Sequence, residues 1–104
     1  MPFEELAACF QQKNINTCKN RFADMVELSI GKERNTLKQD KVLQEINSFL
    51  KSIDGEIKFS IQNSKKYEAG QQVMAVGQIS TRSKTYKVFI SAGQDERIDG
   101  IKIF

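Results

Sequence analysis

The chain has 104 residues, of which 39% are hydrophobic and 28% charged, with six Gly and a single Pro. This length and composition are typical of one folded domain with one core rather than a disordered chain, so we expect a single domain over residues 1–104. The formal net charge of +3 is too small to favour a nucleic-acid partner. No apolar run approaches the roughly 20 residues of a membrane span.

The chain contains two Cys, no His and no Cys-x-x-Cys motif. A zinc site is therefore not expected, and neither another metal nor a cofactor is predicted. Cys9 and Cys18 could form one disulfide, but the favoured interpretation is two small buried hydrophobic residues in helices. The first ten residues are acidic where a secretion signal would be basic. We expect a soluble chain without an export signal, although the trimmed form of an exported protein would look the same.

Two short helices are predicted at the start of the chain. Apolar residues recur at three- and four-residue steps over residues 3–10, and Pro2 suits the first turn of a helix that would end near residues 13–14. Asn16 or Thr17 could cap the start of a second helix. The residues expected along one side of this second helix are Ile15, Cys18, Arg21, Phe22 and Met25.

Alternating apolar and polar residues over 26–30 predict a short, half-buried strand that Gly31 would end. The run that follows, residues 31–40, is densely charged, yet its basic and acidic residues nearly balance, so a phosphate-binding site is not expected there. Thr36 and Gln39 have the spacing of a capping box, in which both side chains satisfy free backbone N–H groups. We therefore interpret the run as the joint between the strand and a following helix.

The clearest element in the sequence is a helix predicted over residues 37–53. Its apolar stripe consists of Val42, Leu43, Ile46, Phe49, Leu50 and Ile53. Most polar residues fall outside this stripe, and Gly55 is a natural stop.

From residue 56 onward the hydrophobic period is two, and four strands are predicted. They are residues 57–62, 72–81, 84–92 and 97–104, with a loop over residues 63–71. Short connections between successive strands favour an antiparallel meander. A bulge is expected at Asp99 and Gly100, because Ile98 and Ile101 cannot share a face of an unbroken strand.

The predicted fold class is α+β, with helices packed on one face of a curved antiparallel sheet in the order α-α-β-α-β-β-β-β. The opposite face would combine large apolar side chains with lysines, which is typical of a protein-contact surface. Alternation leaves open which of two sets on the 72–81 strand joins this face. One set is Met74 and Val76, and the other is Val73, Ala75 and Ile79. The residues chosen for the surface are Lys58, Met74, Val76, Lys87, Phe89, Lys102 and Phe104.

Five segments, taken in order, carry a resemblance to a known superfamily: FADMVELSI, LKQDKVLQEINSFLKSI, IKFSIQNSKKY, VMAVGQISTRSKTYKVFI and IDGIKIF. With the order of elements, they resemble the nuclear transport factor 2-like superfamily, a cone-shaped, cystatin-like α+β fold, and within it a family of small uncharacterised bacterial domains. The resemblance implies no assigned activity, and it implies an exported or periplasmic protein with its signal removed. Sheet-mediated dimers are common in the superfamily, which also includes isomerases, dehydratases and ligand-binding pockets.

Enzymes of this superfamily generally place a His, Asp or Tyr in the pocket between helices and sheet, whereas this chain has no His and its acids fall at polar positions. We therefore expect a non-enzymatic binding or protein-interaction domain without catalytic residues, which forms a homodimer through its sheet. The alternative is a small-molecule pocket, or a degenerate isomerase- or dehydratase-like enzyme, between the long helix and the sheet. Its lining would be Phe22, Phe49, Phe59 and Tyr86. Lys65, Lys66 and Tyr67 are interpreted as a solvated hairpin tip.

Overall fold

Three helices and a six-stranded sheet make up the part of the chain that the computed structural model describes: residues 3–67, 72–93 and 95–104, without the side chains of Glu4, Lys66 and Tyr67. The helices are α1 (Glu4–Gln11), the 3₁₀-helix η1 (Ile15–Arg21) and α2 (Gln39–Lys51). The strands are β1 (Phe22–Ile30), β2 (Glu33–Lys38), β3 (Lys58–Tyr67), β4 (Gln72–Ser80), β5 (Thr85–Ala92) and β6 (Ile98–Ile103). Pro2, predicted for the first turn of α1, lies outside the described residues.

The strands form one sheet in the order β2-β1-β6-β5-β4-β3. Strand β1 runs parallel to β6, and every other neighbouring pair is antiparallel. Strands β3 to β6 form the meander that their short connections predict. The α+β fold class is confirmed, and the predicted elements occur in the predicted order, with one additional strand, β2, between β1 and α2.

The additional strand lies in the charged run. Glu33–Lys38 pairs with β1 across a two-residue turn that begins at Gly31, whose φ of +69° is a conformation that glycine adopts without strain. Thr36 is opposite Glu27 in this ladder, and the described N-cap residue of α2, Lys38, makes no side-chain capping hydrogen bond. The predicted capping box is therefore wrong, because pairing with β1 outweighs the local helix-start signal.

The second predicted helix is shorter than its pattern indicates. It ends as η1 at Arg21, and Phe22 and Met25 belong to β1, where Phe22 is buried and Met25 is exposed on the opposite face. The N-cap residue is Asn14, whose side chain accepts a hydrogen bond from the Asn16 N–H at 3.2 Å. Neither predicted cap, Asn16 or Thr17, is correct, because the helix begins two or three residues earlier than expected.

Polar side chains of α2 hold η1 in place. The Gln39 side-chain amide donates to the carbonyl oxygens of Lys19 (3.1 Å) and Phe22 (2.9 Å), at the end of η1. The Asn47 side-chain oxygen accepts from the Ile15 N–H at 2.8 Å, at its beginning. Both ends of η1 are thus bonded to the long helix, which satisfies backbone groups that a short 3₁₀-helix leaves free.

Strand β3 is longer than predicted. It continues through the first part of the predicted loop (63–71) as far as Tyr67, with a bulge between Ile61 and Asn63. The loop prediction is wrong for this part because all of these residues pair with β4. Residues 68–71 lie outside the described chain.

The bulge predicted in β6 is confirmed. The register of β6 against β5 shifts at Asp99, between the pairs made by Ile98 and Gly100. The extra residue lets Ile98 and Ile101 both face the core, where each is buried.

The core lies between the helices and one face of the sheet, which we call the inner face. Helix α2 packs on β1, β2 and η1, whereas α1 packs on β3. The predicted stripe of α2 provides the buried residues Val42, Leu43, Ile46, Leu50 and Ile53, with Phe49 partly buried. Alternation along β4, β5 and β6 places buried residues on the inner face and leaves exposed ones on the opposite face, which we call the outer face.

Cys9 and Cys18 form a disulfide, with their Cα atoms 6.5 Å apart. Both residues are buried in the helices, as expected, but the favoured interpretation of two unbonded cysteines is wrong. The bond joins α1 to η1, and the Arg21 guanidinium also donates to both carboxylate oxygens of Glu5, at 2.6 and 2.9 Å. This hydrogen bond and the charge of Arg21 hold the pKa of Glu5 below its usual value. The two helices are therefore linked covalently and by a bidentate ion pair.

Replacing both cysteines by alanine should lower the free energy of unfolding by about 2–3 kcal/mol, because the disulfide closes a short loop of the unfolded chain. Urea unfolding with and without dithiothreitol measures the difference. Reduction should destabilise the natural chain and leave the Cys9→Ala/Cys18→Ala chain unchanged. Equal stability of the two chains under oxidising conditions would contradict a stabilising role for the bond.

Candidate functional site

The outer face of the sheet exposes large apolar side chains. Among the described residues, the exposed large hydrophobics are Met25 (49%), Met74 (42%), Phe89 (37%) and Phe104 (43%). Each lies next to a buried inner-face residue in its strand or at its end, so all four belong to the outer face. Exposed apolar side chains that gather on one face mark a contact surface more often than single scattered ones do.

At the centre of this face, two Lys-x-Phe motifs lie side by side. In the antiparallel register of β5 and β6, Phe89 is opposite Lys102. Lys87 and Phe104 exchange both backbone hydrogen bonds, at 2.9 and 3.4 Å, so they are also opposite each other. We call these four residues the Phe–Lys square. Each phenylalanine has a lysine as its cross-strand neighbour and the other phenylalanine on the diagonal.

Three side chains of the square, those of Phe89, Phe104 and Lys102, contact one another. The Phe89 and Phe104 rings meet edge to face, with centroids 5.1 Å apart. The Lys102 Nζ lies 5.1 Å from the centroid of the Phe104 ring, within the range of a cation–π interaction. The square is thus a mixed aromatic and cationic cluster that stays open to solvent.

A groove of about 300 Å³ lies beside the square on the outer face. Small residues from three strands, Ser29, Ser91 and Gly100, line it together with the larger side chains of Met74 and Phe89. A second groove of about 270 Å³ lies on the β3 side of the same two large residues. Met74 and Phe89 therefore form a ridge between two shallow depressions.

The bulge in β6 shapes the first groove. Ser91 donates a hydrogen bond to the Asp99 carboxylate at 2.8 Å, and a Cβ on Gly100 would lie 2.5 Å from the Ser91 Oγ. Only glycine fits at position 100 while this hydrogen bond is in place. The absence of a side chain at this position leaves space for the groove.

All seven residues chosen from the sequence for the contact surface lie on the outer face. Met74 and Val76 are on it, whereas Ala75 and Ile79 are buried on the inner face, which answers the question that alternation leaves open. Lys58 lies apart from the square, opposite Ser80. The structure therefore brings the other six residues together across three adjacent strands.

Sequence reasoning missed the part of the site that β1 and β2 provide. Glu27, Ser29 and Arg34 line the first groove, and Arg34 forms an ion pair with Glu27. Met25, which the sequence pattern places along one side of the second predicted helix, is an exposed outer-face residue of β1. The available signal is Gly31 with Lys32, a two-residue segment that forms the hairpin turn after the alternating stretch of β1.

The four residues expected to line an internal pocket pack into the core. Phe22 is fully buried, and the Phe59 ring meets that of Phe10 edge to face, with centroids 4.7 Å apart. Phe49 and Tyr86 meet in the same way at 5.1 Å. None of the four lines the grooves described above. They fill space between the helices and the sheet.

Neither a metal-binding cluster nor a membrane-spanning helix is found among the described residues. No three His, Cys, Asp or Glu side chains there are close enough to hold a metal ion together. No helix in these ranges is long and apolar enough to cross a membrane.

Helices on one face of a curved, mostly antiparallel sheet, with β1 parallel to the last strand, define a nuclear transport factor 2-like α+β fold. The chain belongs to the DUF4783 family, described as a domain of unknown function, whose sequence profile matches residues 3–103. No curated protein matches the chain.

Solved structures with this fold come from several bacteria. A DUF4783 family protein from Bacteroides ovatus superposes with a TM-score of 0.83 at 14% identity, over 96% of this chain and 91% of that one. Another, from Bacteroides uniformis, gives 0.82 at 16%, over 96% and 93%. A nuclear transport factor 2-like protein of unknown function from Cytophaga hutchinsonii gives 0.69 at 10%, over 99% and 85%. At these identities the likeness concerns the fold alone.

Replacing Gly100 by alanine should lower the free energy of unfolding by about 1–3 kcal/mol, because the new methyl group clashes with the Ser91 hydroxyl. In a chain that already carries Ser91→Ala, the same substitution should cost less than half as much, since the hydroxyl is gone. A double-mutant cycle by urea unfolding measures this. Gly93→Ala is the control, because its methyl group would meet only ordinary contacts, at 3.5 Å and beyond. Equal costs of Gly100→Ala in both backgrounds would contradict the proposed clash.

Proposed function

We propose that this domain is a non-enzymatic protein-interaction domain that forms a homodimer through the outer face of its sheet. The observation that carries this proposal is that the four exposed large hydrophobic residues of the described chain all lie on that face. Burying them against a second copy would remove apolar surface from water, which is the main driving force of association. Because the other face is covered by the helices, the outer face is the natural place for this contact.

The outer face has the size of an ordinary interface. Six strands spaced about 4.8 Å apart give a width of about 24 Å, and strands of six to ten residues give a length of about 20–30 Å. Side chains roughen this outline, so its accessible area is comparable with the roughly 800 Å² that each partner buries in a standard complex. Its centre is aromatic and its surroundings are charged, an arrangement common to protein interfaces.

The alternative function, a small-molecule site or a degenerate enzyme between α2 and the sheet, has less support. It requires an open space lined by Phe22, Phe49, Phe59 and Tyr86. Phe22 is fully buried, and Phe59 packs on Phe10 in the core. Phe49 and Tyr86 are partly buried and contact each other. A shallow cleft of about 310 Å³ between α2 and strands β1 and β2 has none of these four residues in its lining, which consists of Leu28, Ile30, Glu33, Asn35, Leu37, Lys41 and Glu45.

Phe89→Ala should weaken the dimer at least tenfold, because a buried aromatic residue near the centre of an interface typically contributes much of the binding energy. Sedimentation velocity over a concentration series measures the dissociation constant. Gln44→Ala is the control, since Gln44 is exposed on α2, away from the sheet face. Thermal unfolding should show that both variants remain folded. A chain that stays monomeric at high concentration, or a dimer indifferent to Phe89→Ala, would rule out this interface.

We also propose that the protein works in an oxidising compartment, such as the periplasm. Support comes from the Cys9–Cys18 disulfide, since such bonds are rare where thiols are kept reduced. In native cells whose thiols are trapped with a polymer-linked maleimide, the protein should remain unlabelled until dithiothreitol is added, and then gain two labels. Cys9→Ala and Cys18→Ala single variants, each with one unpaired thiol, are the positive controls for labelling. Full labelling of the natural chain without reduction would contradict this location.

A further inference from the structure

We infer that the two copies pack with one Phe–Lys square on the other, so that every phenyl ring lies against a lysine of the other copy. The occupant of this surface is therefore a second copy of the chain, held by reciprocal cation–π contacts. The inference rests on the proposed function, because it specifies the contacts at the centre of that dimer.

The charges of the outer face pose a problem for any face-to-face dimer. Lys58, Lys65, Lys87 and Lys102 are exposed on it, and a second copy brings the same charges. Glu27, an acid of the same face, is already paired with Arg34 of its own chain. The Asp99 carboxylate likewise accepts a hydrogen bond from Ser91 of its own chain. The groups left to meet the lysines of one copy are therefore the lysines of the other copy, which repel them, or groups that attract cations without carrying a negative charge. The face of an aromatic ring is such a group.

The arrangement of the square resolves this problem by symmetry. Phe89 lies opposite Lys102 and Lys87 lies opposite Phe104, so like residues occupy the diagonals. In a face-to-face dimer the two-fold axis runs between the sheets. A two-fold axis parallel to the strands places β5 of one copy over β6 of the other. An axis perpendicular to the strands places the Phe89–Lys102 pair of one copy over the Lys87–Phe104 pair of the other. With either of these axes, each phenylalanine of one copy lies on a lysine of the other. An axis along the diagonal that joins the two phenylalanines would instead place lysine on lysine.

The geometry of packed sheets is compatible with this contact. Sheets that pack face to face cross at about 30°, which tilts each by about 15° from the common axis. The sides of the square are only about 5–7 Å long, because they are one cross-strand spacing and two residues along a strand. A tilt of this size moves the corners of each square by about 1 Å, and the two copies tilt in opposite directions, so facing corners separate by about 2 Å. Each ring therefore still lies within reach of its lysine.

A single chain already contains one contact of this kind. The Lys102 Nζ lies 5.1 Å from the Phe104 centroid, and the edge-to-face contact with Phe89 holds that ring in position. Both rings nevertheless remain more than a third exposed, at 37% and 43%. Surface of each ring is thus available for a lysine from a second copy. Enclosing such a pair in an interface strengthens it, since less water competes for the cation.

Methionine substitutions separate this inference from simple apolar packing. Lys102→Met and Lys87→Met keep the length and apolar character of the side chain and remove only its charge. We expect each to weaken the dimer about tenfold, because the two-fold axis removes two contacts at once. Lys102→Arg should leave the dissociation constant within a factor of three, since arginine also binds aromatic faces. Lys58→Met, outside the square, is the matched control and should leave the dimer unchanged or tighten it.

A second set of variants tests the same contact from the aromatic side. Phe89→Leu keeps an apolar side chain and loses the ring, so it should weaken the dimer. Adding Lys87→Met and Lys102→Met to this variant should raise the dissociation constant by less than the product of the separate effects, because the lysines then have one ring fewer to contact. If the methionine variants bind as well as the natural chain or better while Phe89→Ala still disrupts the dimer, the cation–π arrangement is wrong and the outer-face dimer stands. If Phe89→Ala has no effect, both the arrangement and the interface are wrong.

Discussion

Packing of the apolar stripe of α2 against the inner face determines which side chains of the sheet are exposed on the outer face. Val42, Ile46 and Leu50 are fully buried in this contact. Successive side chains of a strand point to opposite faces, so a slip of one residue would exchange buried and exposed positions along the whole strand. Burial of Val88 and Ile90 on the inner face therefore forces the residue between them to the outer face. The exposure of Phe89 on the outer face is thus a consequence of the burial of its two neighbours in the core.

The edges of the sheet are less open to association than its outer face. At one edge, the Phe59 N–H of β3 donates to the Gln11 side chain at 3.4 Å, and the bulge between Ile61 and Asn63 interrupts the strand. At the other edge, β2 (Glu33–Lys38) has six residues, of which three are charged. Bulges, charges, short length and side-chain cover all discourage pairing with another strand. These features of the edges support the proposed contact through the outer face rather than extension of the sheet.

Local sequence patterns predict the helices and strands whose hydrophobic period lies within their own residues. They fail where contacts with residues far away in the sequence determine the structure. The 3.6-residue period predicts α2, and the alternation of apolar and polar residues predicts β4, β5 and β6 together with the outer-face position of Phe89. Strand β2 was missed because Thr36 and Gln39 suggest a helix start, and only pairing with β1 shows otherwise. The groove is a long-range feature too, since β1 meets β6 across most of the chain. The disulfide depends on the distance between α1 and η1, which spacing alone does not give.

The Phe–Lys square shows how a short motif acquires meaning from register. Lys-x-Phe occurs in β5 at residues 87–89 and again at the end of β6 at residues 102–104. Antiparallel pairing sets each lysine opposite a phenylalanine, whereas parallel pairing would set like beside like and bring the two charges together. The backbone fold is shared with proteins of low sequence identity, but this pattern requires particular side chains. The proposed association through the outer face therefore depends on the residues of β5 and β6 rather than on the fold.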